Sequence, residues 1–309
     1  MSVSVIIPAF NAEATIARTL DAVARQDFAD EFEVVVVDDG STDRTAQIAG
    51  GPATVVRQPQ LGPAAARNAG VARASGDAIA FTDADCVPTP IWLREGVAAL
   101  GDADLIQGAV RPDPAAPRKP FDRTVSVVSD HGLYQCASLF VRRELFEEVG
   151  GFEDWLGATI GKQLAEDLWF GWRARRAGAT VAFRPQALVH HAVLPRGPLD
   201  YVAERARRVY FPPIATKVPE LRETLFRHRC FLTPESEAFA LALTGALAAA
   251  LSKSRLPALA AGPYAWSLGR RAVIWRKHAP VVAAVDLLAD AVGFAALAVG
   301  SVRARTLVL

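Results

Sequence analysis

Cysteine is scarce in this chain: Cys86, Cys136 and Cys230 are too few and too far apart for a disulfide framework or a thiolate zinc site. That scarcity suits a reducing compartment. An excess of either charge is missing too, because a formal net charge of +1 leaves no basic domain of the kind that bulk nucleic-acid binding needs. No nucleic-acid partner is expected. The start of the chain has no basic n-region and no long h-region ahead of residues 3–7, so no secretory leader is expected and the N-terminal part is expected in the cytoplasm. Internal repeats and low-complexity tracts are absent before residue 238. What the chain has in plenty is apolar residues, 51% of its 309 positions. That is enough for one large domain or two modest ones, with a surplus that one ordinary core does not explain.

Residues 3–7 form a continuous apolar run closed by Pro8, the pattern of a strand buried on both faces. Asn11 is then expected to cap a helix running to Gln26, on which Ile16, Leu20 and Val23 make an apolar stripe. Residues 32–37 read as a second strand stopped by Asp38-Asp39-Gly40-Ser41-Thr42-Asp43, with Ser41 or Thr42 capping a short helix. Residues 54–57 read as a third strand, Gly62-Pro63 opens a helix to about Ser75, and residues 78–82 read as a fourth strand. Strand and helix alternate, which predicts an α/β fold with a parallel sheet and helices on both faces. Further on, residues 92–100 read as helix, 104–110 as strand, 111–120 as a proline-rich break and 136–141 as strand before a helix ending at Gly150-Gly151. Residues 155–163 read as a mobile loop, 166–177 as helix and 180–183 as strand.

The stretch that organises the rest is Asp77-Ala78-Ile79-Ala80-Phe81-Thr82-Asp83-Ala84-Asp85, a buried-strand pattern ending in two carboxylates one residue apart. If the extended geometry holds into the tip, Asp83 and Asp85 share a face and can approach one hard cation or a diphosphate–metal complex. Open α/β sheets bind ligands at this end of their strands. Solvated turn carboxylates are the competing reading of such a pair.

Composition changes near residue 238. Residues 238–252 are uncharged and rich in Ala and Leu, residues 256–269 are apolar but interrupted by Pro263, and residues 281–302 carry only Asp286 and Asp290 as charges. A spanning helix wants about 20 apolar residues, so the first two runs are short and the third holds costly carboxylates. Asp286 and Asp290 are spaced i,i+4, which suits an amphipathic helix or a polar seam between paired helices. Arg270, Arg271, Arg276 and Lys277 lie between the apolar segments, where they could meet anionic headgroups. Residues 238–309 are therefore read as an apolar helical tail associated with a membrane, after a connecting amphipathic helical segment over 196–237. A buried helical hairpin or a dimer contact is the alternative.

Val5-Ile6-Ile7-Pro8-Ala9-Phe10-Asn11, then Val36-Val37-Asp38-Asp39-Gly40-Ser41-Thr42-Asp43, then Gly62-Pro63-Ala64-Ala65-Ala66-Arg67-Asn68-Ala69-Gly70, then Thr82-Asp83-Ala84-Asp85 follow one another in order. With Val149-Gly150-Gly151-Phe152 and Glu166-Asp167-Leu168-Trp169-Phe170-Gly171-Trp172-Arg173, this series resembles the family 2 glycosyltransferases of GT-A fold. The resemblance covers residues 1–195 as a Rossmann-like nucleotide-binding domain and leaves the remainder outside it.

The resemblance implies an inverting transfer of a sugar from a nucleoside diphosphate donor to an acceptor hydroxyl, helped by Mg2+ or Mn2+. Pro8, Ala9 and Phe10, with Asn11 behind them, would line the nucleobase slot, and Asp39 would accept a hydrogen bond from base or ribose. A tight turn and helix cap explains Asp38-Asp39-Gly40 as well. Arg67 resembles the arginine facing the diphosphate, against the alternative of a solvated helix-surface residue. Asp83, Ala84 and Asp85 would form the metal and diphosphate turn, with His191 of the pair His190-His191 as a third metal ligand or a diphosphate contact. Asp167 would be the general base and Glu166 would orient the acceptor or the loop, although both also favour a helix N-terminus. Trp155, Trp169 and Arg173 are candidate acceptor contacts; packing explains the tryptophans equally well.

The chain departs from the commonest pattern at Phe10, often tyrosine, at Thr82, often apolar, and at Cys86 and Trp169, both often acidic. No proposed catalytic carboxylate is lost. The implied acceptor is a glycan or lipid-linked hydroxyl at the cytoplasmic face of the membrane, with the basic residues of 205–208 and 270–277 as surface contacts. Two readings compete: a catalytically silent nucleotide-sugar-binding or assembly protein, and a sugar nucleotidyltransferase. The latter chemistry wants a Gly-rich triphosphate loop where Pro8-Ala9-Phe10-Asn11 stands.

Overall fold

The computed structural model describes residues 1–51, 53–160, 164–252 and 254–309. The chain forms two compact units, one of Met1–Pro117 with Thr124–Val193 and one of Arg118–Arg123 with Leu194–Leu309. In the first unit, β1 (Val3–Ala9), α1 (Ile16–Ala24), β2 (Phe32–Asp38), α2 (Thr45–Ala49), β3 (Thr54–Arg57), α3 (Pro63–Arg73) and β4 (Ala78–Phe81) alternate as expected. Then come β5 (Cys86–Pro88), α4 (Trp92–Ala99), β6 (Leu105–Pro112), β7 (Leu139–Arg142), α5 (Arg143–Glu148), α6 (Trp155–Ile160), α7 (Glu166–Arg176) and β8 (Val181–His191).

The eight strands form one sheet in the order β3-β2-β1-β4-β7-β6-β8-β5. β3, β2, β1 and β4 run parallel, but β7 is antiparallel to β4 and β6, and β5 is antiparallel to β8. The expectation of a wholly parallel sheet is thus corrected to a mixed one. A strand covered on both faces shows an unbroken apolar run whichever way it points, so periodicity carried no mark of the reversal. On one face Val5, Ile7, Val36 and Ala80 pack with Ile16, Leu20 and Val23 of α1 and Trp92 and Leu93 of α4. Phe81, on the opposite face, meets Phe146 and Phe152 at ring separations of 6.0 and 5.2 Å. Close approach fixes one residue of α3: a Cβ on Gly70 would lie 2.5 Å from Ile6 Cγ2.

Local departures have local causes. Helix α1 ends at Ala24 and starts only at Ile16, because Asn11 adopts φ +48° and its side-chain oxygen accepts from the Thr42 N–H at 2.9 Å instead of capping. At α2 the Thr45 N–H is taken by Asp43 at 2.9 Å, rather than by Ser41 or Thr42. Residues Cys136–Ser138 form a 3-10 turn and only Leu139–Arg142 are strand. The expected loop over 155–163 is helical at Trp155–Ile160, while its residues 161–163, Gly161 among them, lie outside the described residues. Strand β8 continues past Phe183 to His191, which brings both histidines into the sheet.

The second unit contains α8 (Pro198–Arg205), α9 (Phe211–Lys217), α10 (Leu221–Thr224), α11 (Pro234–Ser252), α12 (Gly262–Val273) and α13 (Ala279–Ala304). Phe239 of α11 packs against Tyr264 of α12 and Phe294 of α13 at 5.1 and 5.5 Å. Arg271 of α12 reaches Asp286 at 3.3 Å and Asp290 at 2.7 Å, so the i,i+4 carboxylates make a polar seam between paired helices. Among the described residues, one helix, Arg276–Ala304, is long and apolar enough by length and composition to cross a membrane.

Candidate active site

The carboxyl ends of β1, β2 and β4 present Phe10, Asp39 and Asp83 on one edge of the sheet, where a doubly covered α/β sheet leaves room for ligand. Phe10 is 44% exposed just beyond β1, and Ala9 is buried. Asn11 ties this end to the loop after β2 twice, since its N–H donates to Ser41 Oγ at 2.9 Å while its Oδ1 accepts from Thr42. Asp39 is buried and accepts from Gln58 Nε2 and from the Leu61 and Gly62 N–H groups at 2.6, 2.9 and 2.8 Å. Its carboxylate holds the loop that leads into α3. With about four lone-pair sites on a carboxylate, one remains for a further donor.

The Asp-x-Asp stretch is a turn, closed by Cys86 N–H donating to the Asp83 carbonyl at 3.0 Å. Thr82 is fully buried and anchors the start of the turn by donating to the Ala137 carbonyl at 3.0 Å; the buried Ala84 accepts from Thr19 Oγ1 of α1 at 2.9 Å. The extended geometry expected at the tip is therefore replaced by a turn that sends its carboxylates to different partners. Asp83 Oδ1 meets Arg67 Nη2 at 3.0 Å. Asp85 Oδ2 lies 3.5 Å from His191 Nε2.

Arg67 explains how three distant stretches meet. It is buried, with Nη1 2.9 Å from Glu166 Oε1 at the start of α7 and its guanidinium 5.6 Å from the Phe152 ring. The fork that the resemblance assigns to a diphosphate is thus spent on two carboxylates, and the Coulombic pull of these neighbours raises its pKa despite burial. The adjacent Asn68 brackets Phe152, donating to its carbonyl and accepting from its N–H, both at 2.8 Å. Gly151 adopts φ +66°, and a Cβ there would lie 2.7 Å from Asn68 Oδ1. Arg-Asn in α3 and Gly-Gly-Phe after α5 are two halves of one lock.

Asp167 follows Glu166 at the α7 N-terminus and remains half-buried, its Oδ1 accepting the Leu168 N–H at 2.7 Å. Burial and the neighbouring Glu166 carboxylate push its pKa up to about 7, against the pull of Arg67. A carboxylate tuned toward neutrality is suited to receive a proton at physiological pH. Arg173, expected at an acceptor, instead donates to the carbonyls of Val149, at 2.5 Å, and Gly151, which fastens α7 to the Gly-Gly turn. Trp169 is buried, donates to Glu153 Oε2 at 2.7 Å and lies 6.5 Å from the Trp155 ring.

The donor set around Asp85 fits a divalent ion. Cys86 and His191 are direct cross-strand partners of β5 and β8, and ligand atoms of Asp85, Cys86 and His191 lie within 4.8 Å of one another. His191 Nδ1 lies 2.8 Å from the Ala192 carbonyl, which can only accept, so the proton belongs on Nδ1 and the Nε2 lone pair is left toward Asp85. Ligands at about 2.1 Å on adjacent positions of an octahedron stand about 3 Å apart, close to the observed Asp85–His191 separation. Cys86 is a member of this cluster that the sequence shows only as one of three scattered cysteines and as a departure from the commonest pattern. Its signal is the three-residue β5, too short to show a period.

Residues 4–148 match the family described as Glycosyl transferase family 2. Glycosyltransferase AglE of Haloferax volcanii is 32% identical over 215 residues, covering 64% of this chain and 69% of that protein. Poly(ribitol-phosphate) beta-N-acetylglucosaminyltransferase TarS of Staphylococcus aureus is 42% identical over 110 residues, which is 33% of this chain but 19% of TarS. Among solved structures, mannosyltransferase PcManGT from Pyrobaculum calidifontis, in complex with GDP-Man and Mn2+, has a TM-score of 0.60 at 24% identity, covering 95% of this chain and 86% of that one. TarS 1–349 in complex with UDP has a TM-score of 0.54 at 22% identity, covering 98% and 91%. These likenesses establish the GT-A fold. With two thirds of a relative matched at this identity, and the family's motifs folded into one edge of the sheet, the chain belongs to glycosyl transferase family 2.

Proposed function

We propose that this glycosyltransferase moves a sugar from a nucleoside diphosphate donor to an acceptor hydroxyl with inversion, using Asp167 as the base. The observation that carries the reading is the bridge from Asp83 through Arg67 to Glu166, which joins the turn after β4 to the residue preceding Asp167. The Asp167 carboxylate takes the acceptor hydroxyl proton as that oxygen attacks the anomeric carbon from the face opposite the diphosphate. The bond between the anomeric carbon and the phosphate oxygen breaks, and its electron pair leaves with the nucleoside diphosphate. Phe10 and the Asn11–Ser41–Thr42 loop form the nucleobase end of the donor cleft, with Asp39 fixing the loop beneath it. Asp85 and His191 would hold Mg2+ or Mn2+, which neutralises charge on the leaving diphosphate. GDP-Man and UDP in the solved relatives support a nucleotide-sugar donor. The acceptor in this reading is a glycan or lipid-linked hydroxyl at the cytoplasmic face of a membrane, which the apolar second unit would reach.

The deciding experiment measures binding and slow hydrolysis of UDP-, GDP- and dTDP-sugars with Mn2+ and with EDTA, for the native protein, Asp85→Ala and Asp167→Asn. Metal-dependent turnover of one donor is expected, weakened in binding by the first change and abolished at retained binding by the second. Failure of every donor to bind would favour a membrane scaffold instead.

A further inference from the structure

The second unit joins two surfaces that do not ordinarily coexist on a soluble protein. Most large apolar side chains exposed among the described residues fall between Leu241 and Leu307, including Leu251, Leu256, Leu259 and Trp266, each about three-quarters bare. Those four lie on the end of α11, the 3-10 segment Leu256–Ala261 and α12, which pack together so that a Cβ on Gly245 would lie 2.4 Å from the Pro257 carbonyl, while Val281, Leu287, Leu288, Val299 and Val302 are exposed along α13. Exposed cations are interleaved with them at Arg255, Arg270, Arg276 and Lys277. From residue 238 onward the only acids are Asp286 and Asp290, both buried and both held by Arg271.

Helix α13 has the length of a span but not its surroundings. Asp290 accepts from Tyr264 at 3.1 Å as well as from Arg271, and Asp286 accepts from Tyr201 of α8 at 3.0 Å. Along one flank α13 lies against α8, the segment Ala206–Tyr210 and α9, a stretch containing Glu204, Arg205, Arg207 and Arg208. A Cβ on Gly293 would meet Arg208 Nη1 at 2.9 Å. Sinking α13 across hydrocarbon would carry those charges with it or break the seam.

We propose that this unit is an in-plane anchor for an anionic lipid surface, with the bare face of α11, the following 3-10 segment and α12 entering the headgroup–acyl boundary while α13 lies along it without crossing. The reading rests on the membrane-proximal acceptor proposed above and specifies how the protein reaches it. Cations around an apolar face with no exposed acid match an anionic leaflet. They are unsuited to a two-fold contact with a second copy, where each cation would meet its own kind.

The test uses the full-length protein in flotation with phosphatidylcholine vesicles, with and without phosphatidylglycerol. Binding is expected only to the anionic vesicles, falling at high salt, and dropping about tenfold or more in Leu259→Glu and Trp266→Glu. Circular dichroism on these exposed-site variants checks folding. Pro280→Cys and Val302→Cys, each in a Cys230→Ser background, place a thiol at either end of α13. After binding to preformed vesicles, both are expected to react with a membrane-impermeant reagent. Protection of one end would overturn the in-plane arrangement in favour of a span. Absence of flotation, or a stable dimer dispersed by Trp266→Glu and blind to lipid, would overturn the lipid surface. Donor hydrolysis without vesicles is read separately: its loss with flotation retained removes the transfer reading alone.

Discussion

In each unit an arginine partly or wholly shielded from solvent, Arg67 or Arg271, meets two carboxylates, and the two clusters have different consequences. Arg271 meets Asp286 and Asp290, and the tyrosines Tyr264 and Tyr201 supply further donors, so the two buried acids are satisfied within the helices. Arg67 meets Asp83 and Glu166, and the carboxyl that follows Glu166, that of Asp167, stays half-buried beside them. Burial, together with the neighbouring Glu166 carboxylate, leaves Asp167 with a raised pKa. The cluster in the second unit holds helices together; the one in the first unit adjoins a carboxyl poised to take up a proton.

The largest expected difference follows from Asp167→Asn. Removing the base should lower kcat by about a thousandfold while donor affinity holds, as general-base losses commonly do. Because the native carboxyl has its pKa raised on folding, ionising it costs stability as pH rises from the ordinary carboxylate range to about 7. The asparagine variant should therefore melt higher than the native protein at pH 8, and less so at pH 5. Loss of turnover with a raised melting temperature separates chemistry from folding; a lowered one at pH 8 would contradict the assigned strain.

Arg67→Met comes next. It strands Asp83 and the buried Glu166, and breaking such a pair costs about 3 kcal/mol, measurable as a lower urea midpoint. Arg67→Lys should recover part of the stability, since one ammonium cannot span both carboxylates with a fork. His191→Ala should weaken Mn2+ binding in the presence of donor by about tenfold to a hundredfold, read by calorimetry, without moving the urea midpoint comparably. The pH profile is a smaller lever: kcat/KM should fall about tenfold per unit below the Asp167 pKa, since the base works only when ionised.

Much of this arrangement was legible in the residue order. The buried strands, the Asp-x-Asp edge and the Glu-Asp helix start stand where their patterns placed them, because apolar runs and helix starts are local signals. Partners were less legible. Arg67 reads equally as a surface residue or a phosphate contact until α7 is brought back across the sheet to supply Glu166. Arg173 sits at the spacing of an acceptor contact and in fact holds two backbone carbonyls. Antiparallel β7 and the three-residue β5 escaped for a similar reason, as direction and long-range pairing leave no trace in a short apolar run. In the tail the i,i+4 spacing of Asp286 and Asp290 left an amphipathic helix and a seam between paired helices open, and the pairing with Arg271 makes it a seam.

The smallest expected effect is also the sharpest contrast between the two clusters. Replacing Arg271→Met, Asp286→Leu, Asp290→Leu and Tyr264→Phe together swaps an ion-paired seam for apolar side chains of similar size. Buried ion pairs recover their desolvation cost only in part, so such exchanges are commonly neutral within about 1 kcal/mol or mildly stabilising. Tyr201 keeps Arg205 as a partner at 2.5 Å and is half-exposed, so its hydroxyl is not stranded. Urea unfolding should therefore shift little, and donor turnover should not change. Asp290→Leu alone should be worse than the quadruple change, because Arg271 then loses its shorter contact while remaining half-buried. The corresponding exchange at Arg67, Asp83 and Glu166 should leave a folded protein without turnover, since in the proposed mechanism those carboxylates position the base and the turn after β4. If the tail exchange abolished turnover as well, the seam would be part of the catalytic apparatus and the division of labour between the two arginines would be wrong.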